Sequence, residues 1–179
     1  MLGEENVPYM LTGSLAGSYH GAPRSTQDID LVVEASLASL LDVAAELRAA
    51  GLYVSDDAIA EAHASQGMFN AIDPESGWKI DFIIRKDRPF SRAEFESRRG
   101  IEFMGLVLSI AGAEDLIVAK LEWAKLGNSE RQLRDVAEIV AVQGSRLDVE
   151  RIQQWSESLG LEIQWALARE LAGPTTESA

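Results

Sequence analysis

The spacing of apolar residues changes character once along the chain, near Ala111, and that change restricts the fold more than any other feature. Before it, short runs of period two alternate with stretches of helical period; after it, only helical spacing is left. Val7–Thr12 is a short apolar run that ends at Gly13-Ser14, and in Asp28–Val33 the residues Ile29, Leu31 and Val33 alternate with Asp28, Asp30 and Val32. Both read as strands. Small residues from Leu15 to Tyr19 open a helix that Gly21 and Pro23 break. Ser36 caps a predicted helix through Leu37, Leu40, Leu41 and Leu47, which stops at Gly51, and Asp56-Asp57 opens a shorter one to about Gln66. Met68–Ile72 and Trp78–Ile84 form a predicted hairpin around the turn residues Asp73-Pro74-Glu75-Ser76-Gly77. Past Ala111 the spacing predicts four helices: one through Leu116, Lys120, Trp123 and Ala124 to Gly127, then Glu130–Gln143, Asp148–Leu159 and Leu161–Leu171. The reading is an α/β half, residues 1–110, then a helical segment, 111–173, packed on it, and a flexible tail, 174–179. Trp78, Trp123, Trp155 and Trp165 are expected in packing roles.

Composition removes several function classes. The chain has 179 residues, 46% hydrophobic and 25% charged, which fits a globular domain and not a disordered one. With 16 Lys plus Arg against 29 Asp plus Glu, the formal net charge is −13. That charge disfavours duplex DNA and anionic membrane surfaces as partners. Zero cysteines exclude disulfides, thiolate metal sites and a cysteine nucleophile, and two histidines, His20 and His63, make a poor imidazole metal site. Neither a leader nor an apolar run of membrane-spanning length stands out, and the expected location is the cytoplasm. Any demanding chemistry has to use carboxylates.

The sharpest local motif is Asp28-Ile29-Asp30. Side chains two apart on a strand share a face, so two carboxylates stand together and need a cation or a proton between them. A hard divalent ion such as Mg²⁺ is the natural partner; a turn end and a solvated strand face is the plainer alternative. Upstream, Gly13-Ser14 follows a strand and starts a helix, where free amides and a hydroxyl can bind phosphate or simply cap the helix. Downstream, Asp81 interrupts the apolar strand Ile80-Asp81-Phe82-Ile83-Ile84. It faces either solvent or the side of Asp28 and Asp30. In the second case three carboxylates can hold two metal ions and leave one oxygen to draw a proton from a hydroxyl nucleophile.

Gly13-Ser14, Asp28-x-Asp30 and Asp81 together resemble the nucleotidyltransferase superfamily of the polymerase-beta type. The string from Thr12 through His20-Gly21, Arg24, Thr26 and Asp28-Ile29-Asp30-Leu31 is most similar to its small bacterial members related to abortive-infection toxins. The likeness extends through Glu114-Asp115-Leu116 and Lys120 to Arg131-Gln132-x-Arg134-Asp135-Val136. It implies a mixed sheet flanked by helices and transfer of a nucleoside monophosphate from NTP to a hydroxyl or phosphate acceptor in RNA, a protein or a small molecule. Asp28 and Asp30 would bind two Mg²⁺ ions, with Mn²⁺ as a substitute; Asp81 would complete the second site and act as base. Gly13 and Ser14 would hold the β and γ phosphates. Gly17-Ser18 matches the shorter spacing to Asp28 common in the superfamily, but Gly13-Ser14 directly follows the strand. A toxin–antitoxin module with a cognate partner, or a catalytically silent nucleotide-binding or protein-interaction domain, is the alternative.

Basic residues complete the reading. Lys79, Arg85, Lys86, Arg88, Arg92, Arg98 and Arg99 form a net positive stretch that either serves a triphosphate or an RNA acceptor end, or balances the acidic remainder. Lys120 lies amid Leu116, Ile117, Val118, Ala119 and Leu121, where it either snorkels to water or, as the resemblance implies, reaches the nucleotide phosphates. In the second role, Lys120→Met weakens nucleotide binding and leaves the melting temperature nearly intact. Arg131 and Asp135 have the spacing of a helical ion pair.

Overall fold

The computed structural model describes residues 7–103 and 105–173, so the tail at 174–179 lies outside the described residues. In chain order the elements are β1 (Tyr9–Thr12), α1 (Gly13–His20), β2 (Asp28–Val33), α2 (Leu37–Ala49), α3 (Asp56–Ser65), β3 (Met68–Ile72) and β4 (Lys79–Ile84). They continue with α4 (Pro89–Glu96), β5 (Arg99–Phe103), β6 (Leu106–Ile110), α5 (Ala113–Gly127), α6 (Glu130–Gln143), α7 (Val149–Leu159) and α8 (Glu162–Ala172). The chain separates into two compact units. One holds the chain up to Leu15 and Ser25–Ala111; the other holds Ala16–Arg24 and the chain from Gly112 on.

The first unit is a mixed six-stranded sheet of order β3-β4-β2-β1-β6-β5. β2 runs parallel to β4 and β1 parallel to β6, while β1–β2, β3–β4 and β5–β6 are antiparallel. The parallel β2–β4 pair requires a crossover, which α2 and α3 supply. Period-two alternation gives the central strands two unlike faces. Leu31, Val33, Phe69, Ala71, Phe82 and Ile84 turn to one side and bury against Leu40, Val43, Ala44 and Leu47 of α2 and Ile59 and Ala62 of α3. Phe69 and Phe82, opposite each other in register, stack at 4.9 Å. The residues between them on β2 and β4, Asp28, Asp30, Lys79 and Asp81, are left for the other side. Local caps agree with this packing: Ser36 accepts from the Ser39 amide at 3.1 Å, and Ser55 from that of Ala58 at 3.3 Å. In the hairpin turn the Asp73 carboxylate accepts from the Ser76 hydroxyl and the Glu75 amide, which lowers its pKa in that order of effect.

Three elements lie beyond what periodicity suggests: α4, β5 and β6. Arg99-Gly100-Ile101-Glu102-Phe103 has little apolar content, and Phe103, Leu106 and Val107 are exposed, so burial leaves no clear period-two signature there.

The second unit packs α5 against α6 and α7, and α6 against α8. Leu116, Ile117, Leu121, Val136, Ile139, Ile152, Leu161 and Ala168 are buried. Asp148 caps α7 by accepting from the Arg151 amide at 2.9 Å. Arg151 in turn donates twice to one oxygen of the buried Asp115, at 2.8 and 3.1 Å. Residues 16–24 join this unit instead of the α/β half expected to run unbroken to 110. Ala16 and Ala22 are buried, and Gln143 donates to the His20 carbonyl at 2.7 Å. Of the four tryptophans expected in core or inter-helix packing, Trp165 is buried and Trp155 half-buried, whereas Trp78 and Trp123 are exposed and do not belong to the core.

Candidate active site

Strand register decides which charged groups meet. On β2 and β4, Asp28 stands opposite Lys79 and Asp30 opposite Asp81, and Thr12 of β1 lies opposite Asp30 on its other side. Directly opposed residues project from the same face of a sheet. Asp28, Asp30 and Asp81 therefore share one face of two adjacent strands, together with a group that motif spacing did not single out, Lys79. The signal for it was present: Lys79-x-Asp81 has the same period two as Asp28-x-Asp30, one strand over.

The Lys79 ammonium donates to Asp81 Oδ2 at 2.8 Å and lies 3.6 Å from Asp28 Oδ1. The Asp81 bond raises the Lys79 pKa against the opposing effect of burial. Asp81 is only 6% exposed, and its second oxygen, Oδ1, is buried without a hydrogen-bond partner. Such a carboxylate oxygen is costly unless something else comes to it. Asp30 has its pKa raised, first by burial, then by the charge of Asp81; the Ser14 amide acts against this, Asp28 adds to it, and Lys79 opposes it.

Gly13 sits directly against this cluster. Its φ is +63°, and a Cβ built there would stand 1.9 Å from Asp30 Oδ2 and 2.4 Å from Asp30 Cγ. Both the left-handed backbone and the contact require glycine. The start of α1 thus abuts the Asp30 carboxylate, with the buried Ser14 donating its amide to it. Gly17-Ser18 has other neighbours. A Cβ on Gly17 would meet Lys120 Cε at an ordinary 3.5 Å, and Ser18 Oγ accepts from the Arg24 amide at 3.4 Å, both within the second unit. Of the two Gly-Ser pairs, Gly13-Ser14 is the one at the carboxylates.

Lys120 does not snorkel. It is 3% exposed, and its ammonium donates to Asp135 Oδ2 at 2.7 Å and Gln132 Oε1 at 3.2 Å. Arg24 Nε stands 3.7 Å from the same Asp135 oxygen. Asp135 therefore pairs across helices and not with Arg131, which is exposed; its place beside Val136 and Ile139 on the buried stripe of α6 explains why. Three arginines of the basic stretch have partners of their own. Arg85 pairs with Glu34 at 2.5 Å and Arg92 with Asp87 at 2.7 Å, while Arg98 lies over the Phe95 ring at 4.1 Å.

A hard divalent cation suits this donor set. Three carboxylates offer the oxygens such an ion prefers, the orphaned Asp81 Oδ1 has an open lone pair, and added positive charge relieves the strain on Asp30. Among the described residues no three acidic or imidazole side chains are already gathered as a metal cage. The cation in place is the Lys79 ammonium.

Comparison of the whole architecture with solved structures gives its type. An antibiotic-resistance factor, ANT(2'')-Ia, in its solution structure, superposes with a TM-score of 0.57 over 94% of this chain and 89% of its own, at 14% identity. An antigenic nucleotidyltransferase-like protein from Paracoccidioides brasiliensis gives 0.55 over 94% and 87%, at 15% identity. The fold is that of the nucleotidyltransferases. The lincosamide antibiotic adenylyltransferase LnuA, solved with lincomycin bound, shares this fold at a TM-score of 0.52, with 12% identity over 79% of this chain and 90% of its own. Neither a protein-family sequence pattern nor a curated protein sequence matches the chain. No helix among the described residues is long and apolar enough to cross a membrane.

Proposed function

We propose that the face carrying Asp28, Asp30 and Asp81 is the active site of a Mg²⁺-dependent nucleotidyltransferase that moves a nucleoside monophosphate from NTP to a hydroxyl on a small molecule, in the cytoplasm. The observation that carries this reading is the register that sets Asp30 beside Asp81 with Gly13 pressed against Asp30. A nucleotidyl transfer needs negative charge neutralised, phosphates held and one proton removed, and little else from the protein. Asp28, Asp30 and Asp81 would hold two Mg²⁺ ions, or Mn²⁺ in their place, which supply charge neutralisation on the triphosphate. The amino end of α1 at Gly13-Ser14 faces the β and γ phosphates. The acceptor hydroxyl oxygen attacks the α phosphorus, the bond from that phosphorus to the bridging oxygen breaks, and pyrophosphate leaves. Asp81 Oδ1, buried and without a hydrogen-bond partner, takes the hydroxyl proton. Lys120, expected to reach the phosphates, is read here as a structural cation because Asp135 and Gln132 already hold its ammonium.

Two observations favour a small acceptor. A net charge of −13 repels a polyanionic RNA and suits a neutral or cationic molecule. Structures of this fold include one with a bound lincosamide. The test incubates the protein with Mg²⁺, each labelled NTP and a panel of hydroxylated small molecules, total RNA and total protein, following pyrophosphate release and the label. Label on a small molecule, lost in Asp81→Asn, supports the reading. Label on RNA or protein, or growth arrest relieved by a partner protein, favours the toxin-like alternative; no label transfer from any NTP overturns nucleotidyl transfer itself.

A further inference from the structure

Among the described residues, Lys79 is the cation paired with these carboxylates, and its placement bears on how the site fills. Its ammonium engages Asp81 Oδ2 at 2.8 Å and stands 3.6 Å from Asp28 Oδ1. Asp28 lies opposite it in register, and Asp81 is two residues on along the same strand face. The side chain reaches the carboxylates from the end of β4 and is itself about one-third exposed, so it has a route back to water. Three carboxylates and one ammonium give a local charge of −2; without Lys79 it is −3. A divalent ion and this ammonium compete for the same oxygens, and two cations on shared ligands repel each other.

Resting on the proposed site reading, we propose that Lys79 is a tethered counter-ion that keeps a divalent cation out of the carboxylate site until a polyphosphate arrives to take up the ammonium's charge. Lys79 makes metal and nucleotide uptake mutually dependent. In the empty site it compensates Asp81 and Asp28. When the metal takes their oxygens, the freed ammonium is matched by the triphosphate, so metal favours nucleotide and nucleotide favours metal by the same factor.

The test measures Mn²⁺ binding by electron paramagnetic resonance, and binding of an ATP analogue with a non-hydrolysable α–β bridge by calorimetry without metal. The parent, Lys79→Met, Lys79→Gln and Lys79→Arg are compared. The Gln variant keeps a hydrogen-bond donor for Asp81 and serves if the Met variant does not fold. Removal of the charge is expected to tighten Mn²⁺ alone at least tenfold, lower the metal-free melting temperature and weaken the metal-free analogue; Lys79→Arg should behave like the parent. Equal Mn²⁺ affinity in parent and charge-free variants overturns the role of Lys79 and leaves the site reading standing. Absence of Mn²⁺ binding in every variant, with or without the analogue, overturns the site reading and this proposal with it.

Discussion

Two clusters of charge, one in each unit, solve the same electrostatic problem in opposite ways. In the helical unit, the buried Lys120 meets Asp135 at 2.7 Å and Gln132 at 3.2 Å, with Arg24 nearby at 3.7 Å. Lys120 and Asp135 form a matched pair within the protein, and Arg24 adds one further positive charge beside them. In the sheet unit, three carboxylates share one Lys79, Asp81 Oδ1 has no hydrogen-bond partner, and burial and like charge raise the Asp30 pKa. A matched buried pair belongs to the architecture, whereas an unmatched cluster on an otherwise ordered sheet is where a ligand has something to gain. Both clusters sit in strongly apolar sequence, and only their partners tell them apart.

The largest expected effect breaks the matched cluster. Lys120→Met removes the 2.7 Å bond to Asp135 and leaves that carboxylate to Arg24 at 3.7 Å, so the loss should be about 3 kcal/mol, the low end for a broken buried pair. This reverses the expectation from sequence that the melting temperature stays nearly intact. Denaturant unfolding reads the loss. A Lys120→Met protein as stable as the parent would mean that the pair contributes little.

Next comes the contact between backbone and carboxylate. Gly13→Ala has to hold alanine at positive φ, a cost of about 1–3 kcal/mol, and its Cβ lands 1.9 Å from Asp30 Oδ2. Displacing Asp30 should lower turnover by roughly 100-fold, while Gly17→Ala, with ordinary contacts, should keep most of it. Parallel rate measurements of the two variants separate the two Gly-Ser pairs.

These cases also show what sequence discloses. Asp28, Asp30 and Asp81 were legible because acids at period two interrupt apolar strands, and Gly13 because it closes β1. Helical spacing past Ala111 marked α5 to α8 with boundaries close to those observed. Partnerships were not legible. That Asp135 belongs to Lys120 and not to Arg131 depends on how α5 and α6 pack, and Lys79 gains meaning only through the β2–β4 register. β5 and β6 left no trace because both faces of that hairpin are largely exposed, so no alternation was selected.

The smallest effect has the opposite sign. Asp30→Asn keeps the shape and removes one charge from the unmatched cluster, so metal-free stability should rise by about 1 kcal/mol, or roughly 2–4 °C for a chain of this size. The pH dependence follows from the raised pKa. The folded state holds the Asp30 proton more tightly than the unfolded chain, so parent stability falls as pH rises from the ordinary value of 3.8 through the higher folded-state value. The advantage of Asp30→Asn should therefore be absent below that window and full above it. Thermal melts across pH 3 to 8, a range of about five units around it, check this; an advantage independent of pH would contradict it.

Melting the parent and Asp30→Asn with and without Mg²⁺ plus a non-hydrolysable NTP distinguishes a cation and nucleotide site on the carboxylate face from a structural feature of the sheet. If the face is a ligand site, the parent gains stability with ligand by mass action, and the variant starts at least as stable and gains much less. A variant that melts far lower without metal yet retains the full ligand shift would contradict it, and Asp30 would then be a residue that holds the fold together.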